Sequence, residues 1–288
     1  MNTIGTSPEL KPQKDYYYRL MKLEDLPSAS LVLQEVTKMV EDTSTNVVKL
    51  SEVISKDQGL TTKMLAVANS PIYELSRRVS TIEYAIMVLG FEHIKQLTLS
   101  LSMIDNLDTR DNANWKKKEY WYHSLLTGSI AKTIAGQIGY ANPGEAFTAG
   151  VMHDLGIIIR QRFFNDDYNK VYEAIKNTDK KVIEAEEDIT GLNHSDIGLF
   201  MLNKWDIPYE ICEAVMNHHY PEASKKFPLP AYIIRLADIL ANQISPFQFI
   251  WDRDIDMDPM VLDKLKVDEK FCDDIINYFK DFKLLQIF

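Results

Sequence analysis

The chain is 288 residues long, enough for one large domain or two medium ones with an ample core. Its 45% hydrophobic and 26% charged content is that of a globular protein and excludes extended disorder. A net charge of −10 argues against nucleic acid as a generic partner, because phosphate backbones call for a concentrated basic surface.

The short basic runs Arg77-Arg78, Lys116-Lys117-Lys118, Lys180-Lys181 and Lys225-Lys226 are scattered and read as solvated faces. Eleven glycines and eleven prolines are few for this length, which favours long helices with short links over sheets and turns. Two cysteines, Cys212 and Cys272, imply no disulfide framework and fit a reducing cytoplasm. The first residues lack a basic-then-apolar signal, and no apolar run approaches the roughly 18 residues of a membrane span. A cytoplasmic protein without a membrane segment is expected.

In chain order, residues 1–15 are polar and read as a flexible leader. After Leu26-Pro27, Ser28 or Ser30 could cap a helix carrying Leu31, Leu33, Val36, Met39 and Val40. Asn46 could begin a second, with Val47, Leu50, Val53 and Ile54 at helical spacing. Asp57-Gln58-Gly59 breaks it, a third runs from Leu60 to Ala68, and Asn69-Ser70-Pro71 stops that one. Residues 46–56 and 60–69 have the outline of a helix-turn-helix, but without an arginine to read guanine they read better as two packed bundle helices. A short helix over Thr81–Leu89 ends at Gly90, and a strongly apolar one runs from Phe91 to Met103. That helix contains His93, with no co-ligand nearby.

The polar, turn-rich stretch 106–114 reads as a boundary between halves. Beyond it the pattern gives a long helix over Trp115–Ile138, a turn at Asn142-Pro143-Gly144, and helices over 145–152, 156–164, 166–177, 181–190 and 194–205. Another opens at Pro208 and ends at His218-His219, followed by 230–242, 259–266 and 269–282. No run alternates with the period of a strand. The fold class is all-α, a multi-helix bundle, divided as 1–15, 16–108, 109–250 and a C-terminal cap over 251–288.

A single histidine on an amphipathic helix is usually an ordinary core or surface residue; here the set matters. Glu119 and His123 are four apart and share a helix face. His153 and Asp154 are adjacent, His194 opens a later helix, His218-His219 end another, and Asp238 sits mid-helix in an apolar segment. Neighbouring helical residues point about 100° apart, so His218 and His219 suit two neighbouring ions, or one ligand and one substrate contact. Inward imidazoles and carboxylates on facing helices are a recurring way to build a two-metal site. Such a site neutralises a phosphoryl group and activates water.

The order His123, His153-Asp154, His194, His218-His219, Asp238 resembles the ligand order of the HD superfamily of phosphohydrolases, and most closely the HD-GYP cyclic di-nucleotide phosphodiesterases. Within that superfamily the chain is similar to the HDOD family of HD-related output domains, over about residues 22–245. The resemblance is carried by Leu26-Pro27, Thr61-Thr62-Lys63-Met64-Leu65 leading to Ala68-Asn69-Ser70-Pro71, Ala85-Ile86-Met87-Val88-Leu89-Gly90, and Ala149-Gly150-Val151-Met152-His153-Asp154-Leu155-Gly156. The run from His194 to Gly198, Trp205-Asp206-Ile207-Pro208 and Arg235-Leu236-Ala237-Asp238 add to it.

What the resemblance implies is a bacterial signal-transduction protein with an N-terminal helical subdomain and an HD-like one. Its metal ligands would be Glu119, His123, His153, Asp154, His194, His218, His219 and Asp238, holding two divalent ions, iron foremost and manganese or zinc next. Imidazole and carboxylate donors suit these metals and exclude a thiolate site. The enzymes it resembles have a lysine three residues after the motif Asp and a Gly-Tyr-Pro signature after the paired histidines. This chain has Ile157 at the first place and Tyr220-Pro221-Glu222-Ala223 at the second. Little or no phosphodiesterase turnover is therefore expected. The alternative is a metal-dependent phosphohydrolase acting on a nucleotide or cyclic di-nucleotide, with His153 and Asp154 as catalytic residues. Asp196 and Arg235 could orient ligands or meet an anionic group, or equally serve as capping or surface residues; Cys212 reads as a small buried thiol. The expected partner is a signalling protein or a small phosphorylated ligand.

Overall fold

The structure, a computed structural model, describes residues 10–23, 31–69, 73, 75, 77–107, 109–247, 249–252 and 256–280. Among these residues it is all-α, with sixteen α-helices and no strand. The first six are α1 (Leu10–Met21), α2 (Leu31–Glu41), α3 (Val47–Ser55), α4 (Gln58–Ala68), α5 (Ile82–Leu89) and α6 (Phe91–Asn106). Then come α7 (Lys117–Gln137), α8 (Pro143–Met152), α9 (Leu155–Phe163), α10 (Asn165–Asn177), α11 (Val182–Thr190) and α12 (His194–Lys204). The last are α13 (Tyr209–Met216), α14 (Pro228–Ile244), α15 (Pro259–Leu265) and α16 (Glu269–Phe279). No helix among the described residues is long and apolar enough to cross a membrane.

Local chemistry accounts for several starts. Asn46, Asp57, Thr81 and Asn193 each take an extended backbone, and each side chain accepts a hydrogen bond from an amide three residues on. That satisfies one of the donors a helix start leaves open. Leu26-Pro27, the candidate caps Ser28 and Ser30, and Ser70-Pro71 lie outside the described residues. Helix α1 begins at Leu10, inside the stretch expected to be a leader. Its inward residues explain why: Leu20 is fully buried, and the buried Tyr16 ring packs on Phe164 at 4.7 Å.

Helix α7 is buried on every side from Tyr120 to Ala131, as a helix without a polar face must be. α8 and α14 pack on it, α13 packs on both α8 and α14, and α12 joins α13 to α9. α6 of the N-terminal half is seated on α8, where the Thr148 hydroxyl donates to Gln96 Oε1 at 2.6 Å. α3 and α4, the helix-turn-helix outline, pack on α5 and α6. α15 and α16 close on α14.

Two glycines set how near these helices come. A Cβ on Gly150 would stand 2.7 Å from Gly128 Cα, so α8 rests against α7 backbone to backbone. A Cβ on Gly156 would stand 2.0 Å from the His194 carbonyl oxygen, so the start of α9 touches the start of α12. Neither backbone can yield without separating the helices that carry the histidines. Gly156→Ala is expected to cost at least about 3 kcal/mol by overpacking, read as a fall in denaturation midpoint; an unchanged midpoint would contradict the close approach.

His93 is packed rather than free. Its Nε2 lies 2.5 Å from the Tyr73 hydroxyl and 3.2 Å from Lys132 Nζ, and its ring meets Phe147 edge-on. Burial, reinforced by the Lys132 charge, pushes its pKa from 6.5 down to about 3. Between those values the unfolded chain binds a proton that the folded chain refuses, so stability falls as the pH drops below 6.5. His93→Gln is expected to flatten the decline in melting temperature between neutral pH and pH 4; a variant as acid-sensitive as the parent would contradict this.

Candidate metal centre

The histidines and aspartates meet where α7, α8, α9, α12, α13 and α14 converge. His123 projects from α7 and Asp238 from α14, while His153 and Asp154 form the junction between α8 and α9. His194 is the first residue of α12, and His218 and His219 follow the end of α13. His123, His153, Asp154, His194, His218 and Asp238 are each at most 1% exposed.

Hydrogen bonds on the far side of three rings fix which nitrogen faces inward. His153 Nδ1 lies 2.7 Å from the Gly150 carbonyl, and His218 Nδ1 lies 2.6 Å from the Val215 carbonyl. A carbonyl only accepts, so each Nδ1 carries the hydrogen and donates it. His194 Nδ1 donates in the same way to Glu186 Oε2 at 2.7 Å. In the neutral rings this leaves three bare Nε2 lone pairs turned toward one another and toward carboxylates.

The inward distances fit a coordination shell. His123 Nε2 is 3.2 Å from His153 Nε2 and 3.2 Å from Asp238 Oδ1, and His153 Nε2 is 3.6 Å from the same oxygen. On the other side His194 Nε2 is 2.8 Å from His219 Nε2 and 3.4 Å from His218 Nε2. Ligands about 2.1 Å from a cation stand about 3.0 Å apart at an octahedral edge and about 3.4 Å apart at a tetrahedral one. Asp154 lies between the two sets. Its Oδ2 faces His153 at 3.3 Å and His123 at 4.0 Å; its Oδ1 faces His194 at 3.4 Å and His218 at 3.9 Å. Three ligand groups result: His123, His153 and Asp238; His194, His218 and His219; and His153, Asp154 and His218 across the middle.

Three buried oxygens, Asp154 Oδ2 and both of Asp238, receive no hydrogen bond of good geometry although imidazole nitrogens lie close by. Buried carboxylate oxygens without donors are costly unless a cation serves them. The donor set, all imidazole and carboxylate with no thiolate, fits a divalent cation.

The charges agree with this. Burial opposes a charged His153, yet the Asp154 and Asp238 carboxylates outweigh it and hold its pKa well above 6.5. Burial likewise opposes a charged His194, and Glu186 outweighs it. Burial works against the ionised forms of Asp154 and Asp238 too, but His153 and its neighbouring imidazoles hold both pKa values below the usual carboxylate range. His218 is driven well below 6.5 by burial and by His219, and His219 down to about 3 by burial and by His194. Positive charge is demanded at the carboxylates and refused at the paired histidines. A cation ligated by neutral imidazoles meets both conditions.

Seven of the eight residues expected as ligands come together. Glu119 stands one turn before His123, half-buried at the start of α7, and belongs to none of the three groups. His218 and His219 were expected on a regular helix, which would splay them. α13 instead ends at Met216, and the irregular backbone beyond it brings both rings to His194. Asp196 serves as a cap: it and Asn193 exchange backbone-to-side-chain bonds, both at 3.0 Å. Cys212 is a buried thiol whose pKa burial raises to about 11, and it joins none of the groups.

The reading missed Glu186 and Arg160. Glu186 is fully buried; it accepts from the His194 ring and backbone and pairs with the equally buried Arg160, which also donates to the Leu192 carbonyl at 2.8 Å. Both left a signal. Val182, Glu186 and Thr190 are four apart on one inward face, and Arg160 follows three consecutive isoleucines. The stacking of Phe249 on His123, centroids 5.2 Å apart, left none.

Residues 26–221 match the family model for the HDOD domain. The chain belongs to the HDOD family. A protein of Treponema pallidum (strain Nichols) is 22% identical to this HDOD chain over 210 residues, 72% of this chain and 40% of its own length. The chain spans less than half the length of the curated relatives it matches. Among solved structures, an HDOD domain protein from Geobacter sulfurreducens superposes with a TM-score of 0.72 at 21% identity, covering 95% of this chain and 98% of that one. A candidate metal-dependent phosphohydrolase from Shewanella amazonensis SB2B gives 0.61 at 20% identity, covering 93% and 99%. At such identities the likeness establishes the HDOD fold.

Glu186 holds His194 in one tautomer and neutralises Arg160, so Glu186→Gln leaves a buried guanidinium uncompensated. Unfolding titrations are expected to show a loss of about 3 kcal/mol. Metal affinity is expected to fall roughly 10–100-fold, as when a histidine loses its carboxylate orienter. Wild-type values for both would refute this role.

Proposed function

We propose that this HDOD protein is a bacterial signal-transduction protein of the cytoplasm whose HD-type site binds two divalent metal ions, with little or no phosphodiesterase turnover. The observation that carries this reading is Asp154, whose two oxygens face two different sets of histidines. A carboxylate so placed would be shared by the two ligand sets and would supply negative charge to both ions. His123, His153 and Asp238 would hold one, and His194, His218 and His219 the other. Iron is the foremost candidate, with manganese and zinc next, since all accept nitrogen and oxygen donors. The ions would supply Lewis acidity and charge neutralisation toward a phosphoryl oxygen.

Low turnover is supported by what stands beside the cluster. Ile157, in place of the lysine of the enzymes this chain resembles, is fully buried among apolar neighbours. A protein that binds metal without processing a substrate can report its ligation state to a signalling partner, or register a small phosphorylated ligand. The second reading is a metal-dependent phosphohydrolase acting on a nucleotide or cyclic di-nucleotide, with His153 and Asp154 as catalytic residues. The convergence of the paired histidines with His194 favours keeping it in view.

Elemental analysis after anaerobic reconstitution with iron or manganese is expected to find about two ions per chain, and fewer than one in His153→Ala or Asp154→Ala. Persistent substoichiometric metal in the parent protein would overturn the reading. Cyclic di-nucleotides, nucleoside monophosphates and a generic phosphodiester are expected to remain intact with the metal-loaded form. Turnover abolished by His153→Ala would establish the second reading instead.

A further inference from the structure

His219 differs from most of its fellow ligands in reaching the surface: it is partly exposed, where the other six residues of the cluster are sealed in. It opens onto a cavity of about 90 Å³ lined by Lys181, Tyr220, Arg235, Trp251 and the first turn of α11. Among the described residues no carboxylate lines this cavity, although the chain as a whole carries a net charge of −10.

Three sources of positive potential meet there. Arg235 lies one turn before Asp238 on α14, its charge reaches His219, and its Nη1 is buried without a hydrogen-bond partner. A buried guanidinium donor left open is rare and suits a charged acceptor that arrives from outside. Lys181 stands at the N-cap of α11, and its side chain makes no capping bond. The start of that helix, with its amide dipoles, faces the same space and favours an anion. Trp251, 2% exposed, supplies a rigid wall.

We infer that this cavity is an anion subsite for the phosphoryl group of a small phosphorylated ligand, entered beside His219. Arg235 offers the directed donor, Lys181 the flexible charge, and the α11 terminus the fixed dipole. The volume admits one phosphoryl group, being about three times the 30 Å³ that a water molecule occupies in the liquid. The rest of the ligand would extend to solvent past the exposed Tyr220. The inference deepens the proposed function by placing the ligand's phosphate, and it rests on that reading only for what lies beyond His219.

The test is isothermal titration of inorganic phosphate into the full chain, first after chelator treatment and then after metal loading. Saturable one-to-one binding is expected in both states, weakened about ten-fold in Arg235→Gln and in Lys181→Gln at an unchanged melting temperature. Lys181 is exposed, so its variant folds whatever becomes of Arg235→Gln. Phosphate affinity unaltered in both variants would overturn the subsite. So would binding seen only with metal present, since phosphate would then sit on the metal. A chain that takes up no metal but still binds phosphate through Arg235 and Lys181 would overturn the metal-centre reading and uphold the subsite.

Discussion

A carboxylate buried among lone pairs is unstable company. Asp154 and Asp238 turn oxygens toward imidazole nitrogens, and the hydrogen bonds of His153, His194 and His218 on the opposite ring edge commit their hydrogens elsewhere. Without positive charge between them, these groups repel. Protons on His153 and His194 are one answer, and the raised pKa of each shows the demand. A divalent metal site is the other, and it also suits His218 and His219, which refuse a proton.

The helices are arranged to hold this conflict in place. Gly128 and Gly150 let α7 and α8 meet backbone to backbone, and Gly156 lets α9 reach the first turn of α12. His123 and His153 are thereby brought to one oxygen of Asp154 and His194 to the other. Glu186 and Arg160 brace it from behind. Their charges cancel where neither could stand alone, and the capping box of Asn193 and Asp196 fixes the start of α12 and with it His194. The N-terminal half reaches this layer through α6 on α8, so packing at Gln96 and Thr148 connects the two halves one helix away from the ligands.

Much of this was legible in the residues. Helical period placed α7, α12 and α14, and Asn46 and Thr81 open helices where the pattern starts them, whereas Asp57, which reads as a break, caps α4. The ligand series was readable because imidazoles and an aspartate recur inside apolar helices, where polar groups need a reason. Other features depended on tertiary structure. Whether Glu119 joins the cluster turns on the direction of one helix face, which spacing alone does not decide. The end of α13 at Met216, which changes what adjacent histidines can do, had no glycine or proline to mark it. Glu186 lay among acidic neighbours that face solvent, so its inward position was visible only at four-residue spacing. Tyr16 shows the converse: packed on Phe164, it anchors a helix that begins inside the polar stretch before it.

The central claim is that Asp154 bridges two cations held by separate histidine sets. Anomalous diffraction at the iron or manganese edge, from crystals of reconstituted protein, tests it most directly. The expected result is two peaks about 3.5–4 Å apart, one beside His123, His153 and Asp238 and the other beside His194, His218 and His219, with one Asp154 oxygen toward each. No anomalous peak among the seven side chains, or a single ion that leaves one histidine set without metal, would contradict it.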